Sequence, residues 1–570
     1  MNGIGYVVCM TPLSISILKS DVFTTEGPDD EVYLSLEGVT QPITYLVGRN
    51  GSGKSRTARA IAKASPNSLY LSTDRLLGVM NVSGSGYGSS ITEFQGIPLI
   101  EEALSDFKRS RSIGLGLATE QIVVLRDQPE VGLRVAAFIR RSLGRSVELR
   151  ERAGLLDPYV RIEDRSYSLF RDEGHGLREL IVLLTAIYRE DWSLLVIDEP
   201  ELHLHPSLAR LIVTELVNVC KASGRSSVLV THEPSIIRPT DLDELAAVWH
   251  FSEGNRPRSI STVIEPGFEK RVNASLKHNP ALVSQLIFAP RPVLVEGVND
   301  VASLTSALEA EFDASVVAQT ELVPCGGSGQ VALWLSIADK LNLDARAIGD
   351  FDALLDSDVQ RRMDEMPGVT KRYSEELYVA SSKRAVSQLL IAADQAKVEK
   401  NAPKRAKWLR SVGTSVPELN AKMNKLLAIW RDAGLWLHPE GMIEDVLGGS
   451  KGSVDYSAAG ATVEAIRPVA RWAAFTLDPA GDLFTLLHIQ VERIASRINL
   501  LMADNPGLKL TSIPDSTADT QLVAVAPASE GHHRLTVKRP IEYAGYWVEF
   551  GRDTPPRDLR LRPPTPAAAT

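Results

Sequence analysis

The chain has 570 residues, of which 44% are hydrophobic and 23% are charged. This composition is ordinary for a protein with several buried cores, and it excludes a mainly disordered, collagenous or disulfide-stapled chain. Lys and Arg number 62 against 71 Asp and Glu, which gives a net charge of −9. An acidic chain is not expected to bind nucleic acid through bulk charge, so any polyanion site must be a local patch.

The cysteines indicate a reducing compartment. Cys9, Cys220 and Cys325 lie far apart in the sequence and match no metal-binding spacing. No apolar run reaches the roughly 18 residues of a membrane span, and the apolar start lacks a positive n-region. We therefore expect a cytoplasmic protein with no membrane partner, and we expect LSISIL (13–18) to form a buried first strand rather than part of a signal peptide.

The first half of the chain alternates between predicted strands and helices. EVYLSLEGV (31–39) alternates apolar and polar residues, as a half-buried strand does, whereas ITYLVG (43–48) is nearly continuous in apolar residues. Further on, a helix at 177–190 precedes two buried strands at 193–198 and 226–232, with a helix between them. Strand, crossover helix and strand in this order predict a parallel sheet.

A phosphate-binding loop follows the strand at 43–48. The segment fits G-x-x-x-x-G-K-[ST] and is followed by a helical pattern. Glycines allow backbone N–H groups to surround phosphates, the lysine can reach the β- and γ-phosphates of ATP, and the serine hydroxyl can bind Mg²⁺. The predicted nucleotide-binding residues are Gly48, Arg49, Asn50, Gly51, Ser52, Gly53, Lys54 and Ser55.

Two acids end the next buried strand. The apolar run 194–197 would bring Asp198 beside the phosphate loop, where it can hold Mg²⁺ through water. Glu199 is then positioned to orient or deprotonate the attacking water. His232 ends the following strand and can hydrogen-bond a γ-phosphate oxygen, although a lone histidine is equally often structural.

These motifs resemble the ABC-type ATPases of the SMC, RecF and OLD kind. The resemblance rests on VGRNGSGKS (47–55), VIDEPELHLHP (196–206) and VTHEPS (230–235). In such ATPases a glycine-containing signature contacts the nucleotide of a second copy, which implies a homodimer or a higher homo-oligomer. The matching segment here is DEGHGLREL (172–180), with Gly174 and Gly176 in position; the usual serine is absent, and His175 or nearby acids stand there instead.

A second α/β unit begins near residue 290 and carries its own acids. Glu296 ends a predicted strand, Asp300 follows four residues later, and Asp350 and Asp352 end another strand. Ligands of open α/β sheets bind at the carboxyl ends of the strands, so these carboxylates are predicted to converge. Their repulsion would be offset by Mg²⁺ or Mn²⁺, and two such ions can promote phosphodiester cleavage. Ordinary acidic helix caps are the alternative.

This layout of E-G-x-x-D, a glycine turn and D-x-D resembles the TOPRIM domain. That domain occurs in topoisomerases, primases and OLD-family nucleases. The resemblance to OLD proteins implies a later metal-binding acid, for which Glu444 is the candidate, with Glu440 and Asp445 as competitors. It also implies a late lysine, and Lys451 is the candidate.

A basic stretch lies at 381–430, where ten Lys and Arg residues accompany three acids. With Trp408 it could contact DNA phosphates and stack on a base, but a solvated helical face is an equal alternative. The final residues, 551–570, are rich in Pro and Arg, which predicts a disordered tail.

The order of the two units resembles the OLD family, which includes the nuclease subunit of the Gabija defence system. The resemblance implies an α/β protein with an ABC-type ATPase at 1–285 and a Rossmann-like TOPRIM domain at 286–455. Mixed helical periodicity and many charges at about 95–165 predict a helical insertion in the ATPase. A helical or mixed C-terminal region would occupy 456–550. The resemblance to the OLD family further implies ATP-regulated, metal-dependent DNA cleavage, a role in phage defence and a defence-system partner protein.

Three alternatives remain open. The chain could be an ATP-driven sensor or scaffold in repair or defence that does not cut DNA. It could be a topoisomerase- or primase-like enzyme, although no tyrosine nucleophile on a DNA-binding domain is evident. A transporter ATPase fits least, because the second α/β unit has no role in it.

Overall fold

The structure is a computed structural model, and it describes residues 13–23, 31–76, 97–98, 117–152, 155–252, 255–394, 407–412, 416–448, 461–474, 483–504, 522–528, 532–539, 544–551 and 562–563. The chain divides into two compact units, residues 1–474 and 475–570.

Strands are labelled in chain order. Their bounds are β1 Ser16–Leu18, β2 Val32–Ser35, β3 Ile43–Gly48, β4 Ser68–Leu71, β5 Ile97–Pro98, β6 Ser146–Arg152, β7 Leu155–Ile162, β8 Arg165–Ser168, β9 Leu194–Asp198, β10 Ser226–Val230, β11 Val248–Phe251, β12 Arg258–Ser259, β13 Arg291–Val295, β14 Thr320–Pro324, β15 Arg346–Gly349, β16 Leu435–Leu437, β17 Val523–Pro527, β18 His532–Val537 and β19 Trp547–Gly551.

The α-helices are Lys19–Val22, Lys54–Ala64, Ala118–Asp127, Pro129–Leu143, Leu169–Asp172, His175–Tyr188, Pro206–Ser223, Leu242–Ala246, Glu269–His278, Leu282–Phe288, Val298–Glu311, Ala314–Val317, Ser328–Lys340, Ser357–Glu365, Val369–Arg372, Ser382–Asp394, Pro417–Asp432, Ile443–Val446, Ala461–Ala473 and Leu483–Asp504. Turns of 3₁₀-helix span Ile260–Val263 and Phe351–Leu355, and a π-helical turn spans Tyr373–Leu377.

The first sheet has six strands in the order β12-β11-β3-β10-β9-β4. All neighbouring pairs are parallel except β12 with β11. Strands β9 and β10 are buried along their whole length, which explains their continuous apolar runs. The predicted parallel sheet is confirmed, and the carboxyl ends of β3, β9 and β10 meet at one edge.

The inserted segment is only partly helical. Helices Ala118–Asp127 and Pro129–Leu143 are followed by the antiparallel strands β6, β7 and β8. Our expectation of a helical insertion at about 95–165 was therefore wrong for its second half, and most of 95–116 lies outside the described residues. Charged residues lie on both faces of β6, and they obscure the alternation of apolar and polar residues by which a strand is predicted.

The second sheet has four parallel strands in the order β14-β13-β15-β16. The predicted strands that lead to Glu296 and to Asp350 are confirmed as β13 and β15, and β14 pairs with β13. Strand β16 was not predicted, because three residues are too short for a periodic pattern. It adds a further carboxyl end beside that of β15.

The first and second sheets contribute to one hydrophobic core. A continuous cluster of buried side chains includes Leu229 and Val248 near the first sheet and Leu294 and Trp334 near the second. Polar contacts reinforce this junction, since the Glu265 carboxylate pairs with Lys340 and Arg361 at 2.8 and 2.9 Å. The helix Ala461–Ala473 packs on Val298–Glu311, so part of the predicted C-terminal region lies within the first unit.

The second compact unit is mixed in structure. Within its described residues, the helix Leu483–Asp504 accompanies an antiparallel sheet in the order β17-β18-β19. Of the predicted disordered tail, Gly551, Arg562 and Pro563 are described, and the backbone of Arg562 pairs with Trp547. None of the described helices combines the length and hydropathy that a membrane span requires.

Candidate functional sites

The phosphate loop connects β3 to the helix Lys54–Ala64 and depends on glycine conformations. Gly48, Gly51 and Gly53 have φ values of 142°, 81° and 96°. A Cβ atom at Gly48 would lie 2.1 Å from the backbone oxygen of Phe251 on the neighbouring strand. The loop therefore requires glycine both for its backbone angles and for its close packing on β11.

Lys54 is held within this loop. Its Nζ atom donates to the carbonyl oxygens of Gly48 and Arg49, both at 2.8 Å. Burial lowers the pKa of Lys54 to about 8, while the charges of Asp198 and Glu199 act in the opposite direction. An ammonium group that is short of solvation in this way gains strongly from a bound phosphate.

The loop lies against the end of β9, as predicted. The Ser55 hydroxyl donates to Oδ1 of Asp198 at 3.2 Å, and the Tyr70 hydroxyl donates to Oδ2 at the same distance. Asp198 is buried, which raises its pKa. A serine hydroxyl beside a buried carboxylate is the donor set that binds hydrated Mg²⁺ in ATPases with phosphate loops.

Glu199 lies next to His232, with 3.8 Å between Oε1 and Nε2. The backbone of Glu199 has a φ of 52°, a value that is uncommon for residues other than glycine and frequent at functional sites. Burial lowers the pKa of His232, so its imidazole is neutral near pH 7. The structure thus brings together two side chains that the sequence predicts to surround a γ-phosphate.

Sequence reasoning missed Glu201, which positions the end of β10. Its Oε1 atom accepts hydrogen bonds from the Thr231 hydroxyl at 2.8 Å and from the backbone N–H of His232 at 2.7 Å. Burial raises the pKa of the Glu201 carboxyl. A third acid in the run Asp198 to Glu201 was the available signal.

A buried ion pair was also missed. Arg75 and Glu179 are both fully buried and lie 2.7 Å apart. The same guanidinium donates to the backbone oxygens of Asp198 and Glu199, both at 2.8 Å. Arg75 therefore connects the strand end that bears Asp198 and Glu199 to the helix His175–Tyr188.

That helix begins at the glycines of the predicted signature. Gly174 caps it, and a Cβ atom at Gly176 would lie 2.9 Å from the backbone oxygen of His203. The rings of His175 and His203 are 5.0 Å apart. The structure thus brings the signature into contact with the segment after Glu199, and the proposed contact with the nucleotide of a second copy stays a prediction.

The second site lies at the carboxyl edge of the second sheet. One carboxylate oxygen from each of Glu296, Asp350 and Asp352 lies within 4.8 Å of the others. The backbone N–H of Asp350 donates to Oε1 of Glu296 at 3.0 Å, although the two residues are 54 positions apart. The expected convergence of acids from two distant strands is therefore present in the structure.

Backbone donors hold the individual acids. Oδ2 of Asp300 accepts from the N–H of Gly297 at 2.8 Å, and Oδ1 of Asp350 accepts from the N–H of Ile443 at 3.0 Å. The hydrogen bond from Ile443 connects the segment after β16 to this site. The carboxylates are thus fixed in position by the fold rather than free to swing apart.

Crowding and burial perturb these acids. The pKa is raised to about 8 for Asp350, about 7 for Glu296 and about 6 for Asp300, first by burial and then by neighbouring carboxylates. The pKa of Asp352 is raised for the same leading reason. Without a cation these side chains resist ionisation together, which is the electrostatic property of a divalent metal site.

The late acid predicted at 444 also lies close to the site. Glu444 is buried, and its charge contributes to the raised pKa of Asp300. Of its competitors, Glu440 is exposed, whereas Oδ2 of Asp445 accepts from the N–H of Met442 at the start of its own helix. Lys451 lies outside the described residues.

A histidine that was not predicted completes this site. His438 follows β16, is 1% exposed, and has one ring nitrogen within 4.8 Å of carboxylate oxygens of Asp300 and Asp350. Burial lowers its pKa to about 4, which leaves the imidazole neutral. The available signal was a histidine directly after the apolar triplet of β16.

The basic stretch is only partly described. Its helices Ser382–Asp394 and Pro417–Asp432 expose lysines and arginines, whereas residues 395–406 lie outside the described residues. The ring of Trp408 packs against the hydrophobic core, which leaves it poorly placed for base stacking. DNA contact by this stretch stays a prediction.

The first comparison with known proteins concerns part of the first site. A family model described as "AAA domain, putative AbiEii toxin, Type IV TA system" matches residues 136–238. Together with the parallel sheet and phosphate loop, this match defines an ATPase domain of the ABC and AAA type within the chain.

Particular relatives cover part of the chain. The oligopeptide transport ATP-binding protein OppD of Mycobacterium bovis and that of Mycobacterium tuberculosis are each 28% identical over 40% of this chain and 36% of their own length. The OLD nuclease of Thermus scotoductus is 24% identical over 41% of this chain and 47% of its own. The chain thus spans less than half the length of these curated relatives, between 36% and 47%.

Proposed function

We propose that the protein is an ATP-binding and ATP-hydrolysing, divalent-metal-dependent DNA endonuclease of the OLD type. The observation that carries this proposal is the acidic cluster, by which we mean Glu296, Asp300, Asp350, Asp352 and Glu444. Its acids come from distant segments yet meet at one sheet edge, in the same compact unit as the phosphate loop.

The acidic cluster supplies what metal-dependent phosphodiester cleavage requires. Carboxylate oxygens suit Mg²⁺ and Mn²⁺, and a pair of such ions can stabilise both the attacking and the leaving oxygen. The parallel second sheet, with acids at the ends of β13 and β15, supports a TOPRIM domain. DNA is the proposed substrate, and Lys451 remains the candidate for a later basic group.

The phosphate loop supplies the other half of the function. Lys54, Ser55 and Asp198 would hold ATP and Mg²⁺, while Glu199 and His232 would act on the γ-phosphate and its attacking water. The resemblance to OLD proteins further supports a homodimer, a defence-system partner and a role against phage, all of which belong to this proposal.

Incubation of supercoiled plasmid with Mg²⁺ or Mn²⁺, with and without ATP, tests the proposal. We expect nicked or linear DNA from the wild type and none from Glu296→Gln or Asp352→Asn, because a missing carboxylate releases a metal ion. ATP hydrolysis should persist in both variants. Loss of ATP hydrolysis in Asp352→Asn would contradict the assignment of separate tasks to the two sites.

Glu199→Gln offers a complementary test of the first site. The amide cannot accept a proton from water, so we expect ATP to stay bound and the homodimer to accumulate. Light scattering with ATP should then show a larger mass for Glu199→Gln than for the wild type. An unchanged mass would contradict the proposed dimer.

An ATPase sensor or scaffold without nuclease activity is the second candidate. It needs only the ATPase domain, to which the matching family model refers. Intact plasmid under every metal, combined with ATP hydrolysis that depends on Lys54, would select this candidate.

A further inference from the structure

The second sheet offers a histidine among its carboxylates. Strands β13, β15 and β16 are adjacent and parallel, and each carries a potential metal ligand at its carboxyl end: Glu296, Asp350 and His438. Asp300 follows in the first turn of the helix after β13. The topology therefore delivers a nitrogen donor to the same edge as the acids.

Two overlapping groups of ligand atoms exist there. One contains only oxygen donors, from Glu296, Asp350 and Asp352; the other contains Asp300, Asp350 and His438. In each group the ligand atoms lie within 4.8 Å of one another. Ligands on opposite sides of an ion at 2.0–2.2 Å stand roughly 4 Å apart, so each group has room for one divalent ion, with Asp350 shared between them.

His438 is the independent observation that points to a ligand. Its side chain is almost fully buried, and neither Nδ1 nor Nε2 has a hydrogen-bond partner among the described residues. Buried polar groups in proteins nearly always have a hydrogen-bond partner. A buried imidazole without such a partner, beside two carboxylates, is therefore typical of a metal ligand.

The donor chemistry of the two groups differs. Mg²⁺ prefers oxygen and keeps much of its water, whereas imidazole is a good ligand for divalent transition metals. The oxygen-only group can bind either Mg²⁺ or Mn²⁺. The group that contains His438 is expected to bind a divalent transition metal such as Mn²⁺ more tightly than Mg²⁺.

We infer that His438 is a metal ligand of this chain and makes the Asp300–Asp350 side of the acidic cluster selective for a divalent transition metal such as Mn²⁺ over Mg²⁺. This inference rests on the proposed function, because it specifies the ion that the nuclease site uses.

Mn²⁺ binding to the full-length, nucleotide-free protein tests the inference directly. Electron paramagnetic resonance of free Mn²⁺ should give two bound ions per wild-type chain in the acidic cluster and one in His438→Leu, with about 100-fold weaker binding at the altered position. His438→Gln and His438→Asn, which offer an amide oxygen, should bring the Mn²⁺ and Mg²⁺ affinities closer together. Unchanged Mn²⁺ binding by His438→Leu would overturn the inference.

A spectroscopic measurement needs no variant of His438. Electron spin-echo modulation from the wild-type protein loaded with Mn²⁺ should show coupling to an imidazole ¹⁴N nucleus. The matched control is His232→Ala, which removes the imidazole of the ATP site and should leave the coupling intact. Absence of ¹⁴N coupling in the wild type would overturn the inference even if His438→Leu fails to fold.

Parallel plasmid assays separate the two proposals. Two Mn²⁺ ions with ¹⁴N coupling but uncut DNA would support the His438 site and refute the nuclease. Cleavage of DNA without ¹⁴N coupling would refute the His438 site and support the nuclease.

Discussion

Asp350 is the residue on which the second site converges. It belongs to both groups of potential metal ligands. Its backbone N–H donates to Oε1 of Glu296, and its Oδ1 atom accepts from the backbone N–H of Ile443. Burial and three neighbouring acids raise its pKa to about 8. The apo protein therefore carries an electrostatic penalty that a bound cation would relieve.

This penalty predicts an unusual pH dependence of stability. For an acid whose folded pKa is raised, the unfolded chain releases its proton first, so the free energy of unfolding falls as pH rises between the two pKa values. In metal-free protein we expect Tm to fall from about pH 4 to about pH 8 through Glu296, Asp300 and Asp350. Mn²⁺ should restore it at the upper end.

Asp350→Asn isolates the contribution of one acid. At about pH 8 without divalent ions we expect this variant to melt several degrees above the wild type, since each kcal/mol shifts Tm by roughly 2–4 °C. It should also lose most of the stabilisation by Mn²⁺. Scanning calorimetry is the measurement, and Asp313→Asn, at an exposed acid, is the control. A metal-free Tm below that of the wild type would contradict the argument.

Lys54 is the matching residue of the ATP site. Lys54→Ala removes the ammonium that the loop carbonyls hold, and we expect at least about 100-fold slower ATP hydrolysis. Lys63→Ala, at an exposed position of the same helix, should hydrolyse ATP at the wild-type rate. Hydrolysis that survives Lys54→Ala would remove the phosphate loop from the mechanism.

At the scale of elements, the Arg75–Glu179 pair ties strand to helix. It connects the end of β9 with the helix His175–Tyr188, and both side chains are shut off from water. Removing one partner of such a pair leaves an uncompensated buried charge. The pair therefore stabilises the position of Asp198 and Glu199 relative to the predicted signature.

Glu179→Ala tests this link between elements. We expect a loss of about 3–5 kcal/mol in the free energy of unfolding and a Tm lower by roughly 10 °C. Asp127→Ala breaks the more exposed Arg126–Asp127 pair at 2.7 Å and should change stability by less than about 1 kcal/mol. Equal effects of the two substitutions would refute a structural role for the buried pair.

At the scale of the whole molecule, the phosphate loop contacts the segment that leads into the second sheet. The guanidinium of Arg49 donates to the backbone oxygen of Pro290 at 2.7 Å. Pro290 immediately precedes β13, and Glu296 immediately follows that strand. Under the proposed function, this hydrogen bond is a direct contact between the loop and the strand that leads to the acidic cluster.

Arg49→Ala tests this connection between the two sites. We expect the ratio of DNA cleavage with ATP to cleavage without ATP to approach one, because the loop no longer holds Pro290. Arg258→Ala is a matched control, since Arg258 donates to the backbone oxygen of Lys340 at the same junction but lies outside the loop. If Arg49→Ala keeps the wild-type ratio, the coupling follows another route.

Local signals in the sequence located the phosphate loop and the acids after β9, but not Glu201 or the Arg75–Glu179 pair. Gly48–Ser55 and Asp198 were identified from a glycine loop, a helix and a buried strand, since each signal lies within a few residues of the chain. The ends of β13 and β15 were predicted in the same way. Parallel sheets made the convergence of Glu296 with Asp350 predictable as well.

Only the tertiary structure decided the contacts that depend on which strands are neighbours. His438 joins the acids because β16 pairs with β15, and a strand of three residues leaves no periodic pattern to reveal that pairing. Arg75 meets Glu179 across 104 positions, and Arg49 meets Pro290 across 241. Periodicity reports which face of an element is buried but not what covers it, so the sequence located the sites while packing supplied their partners.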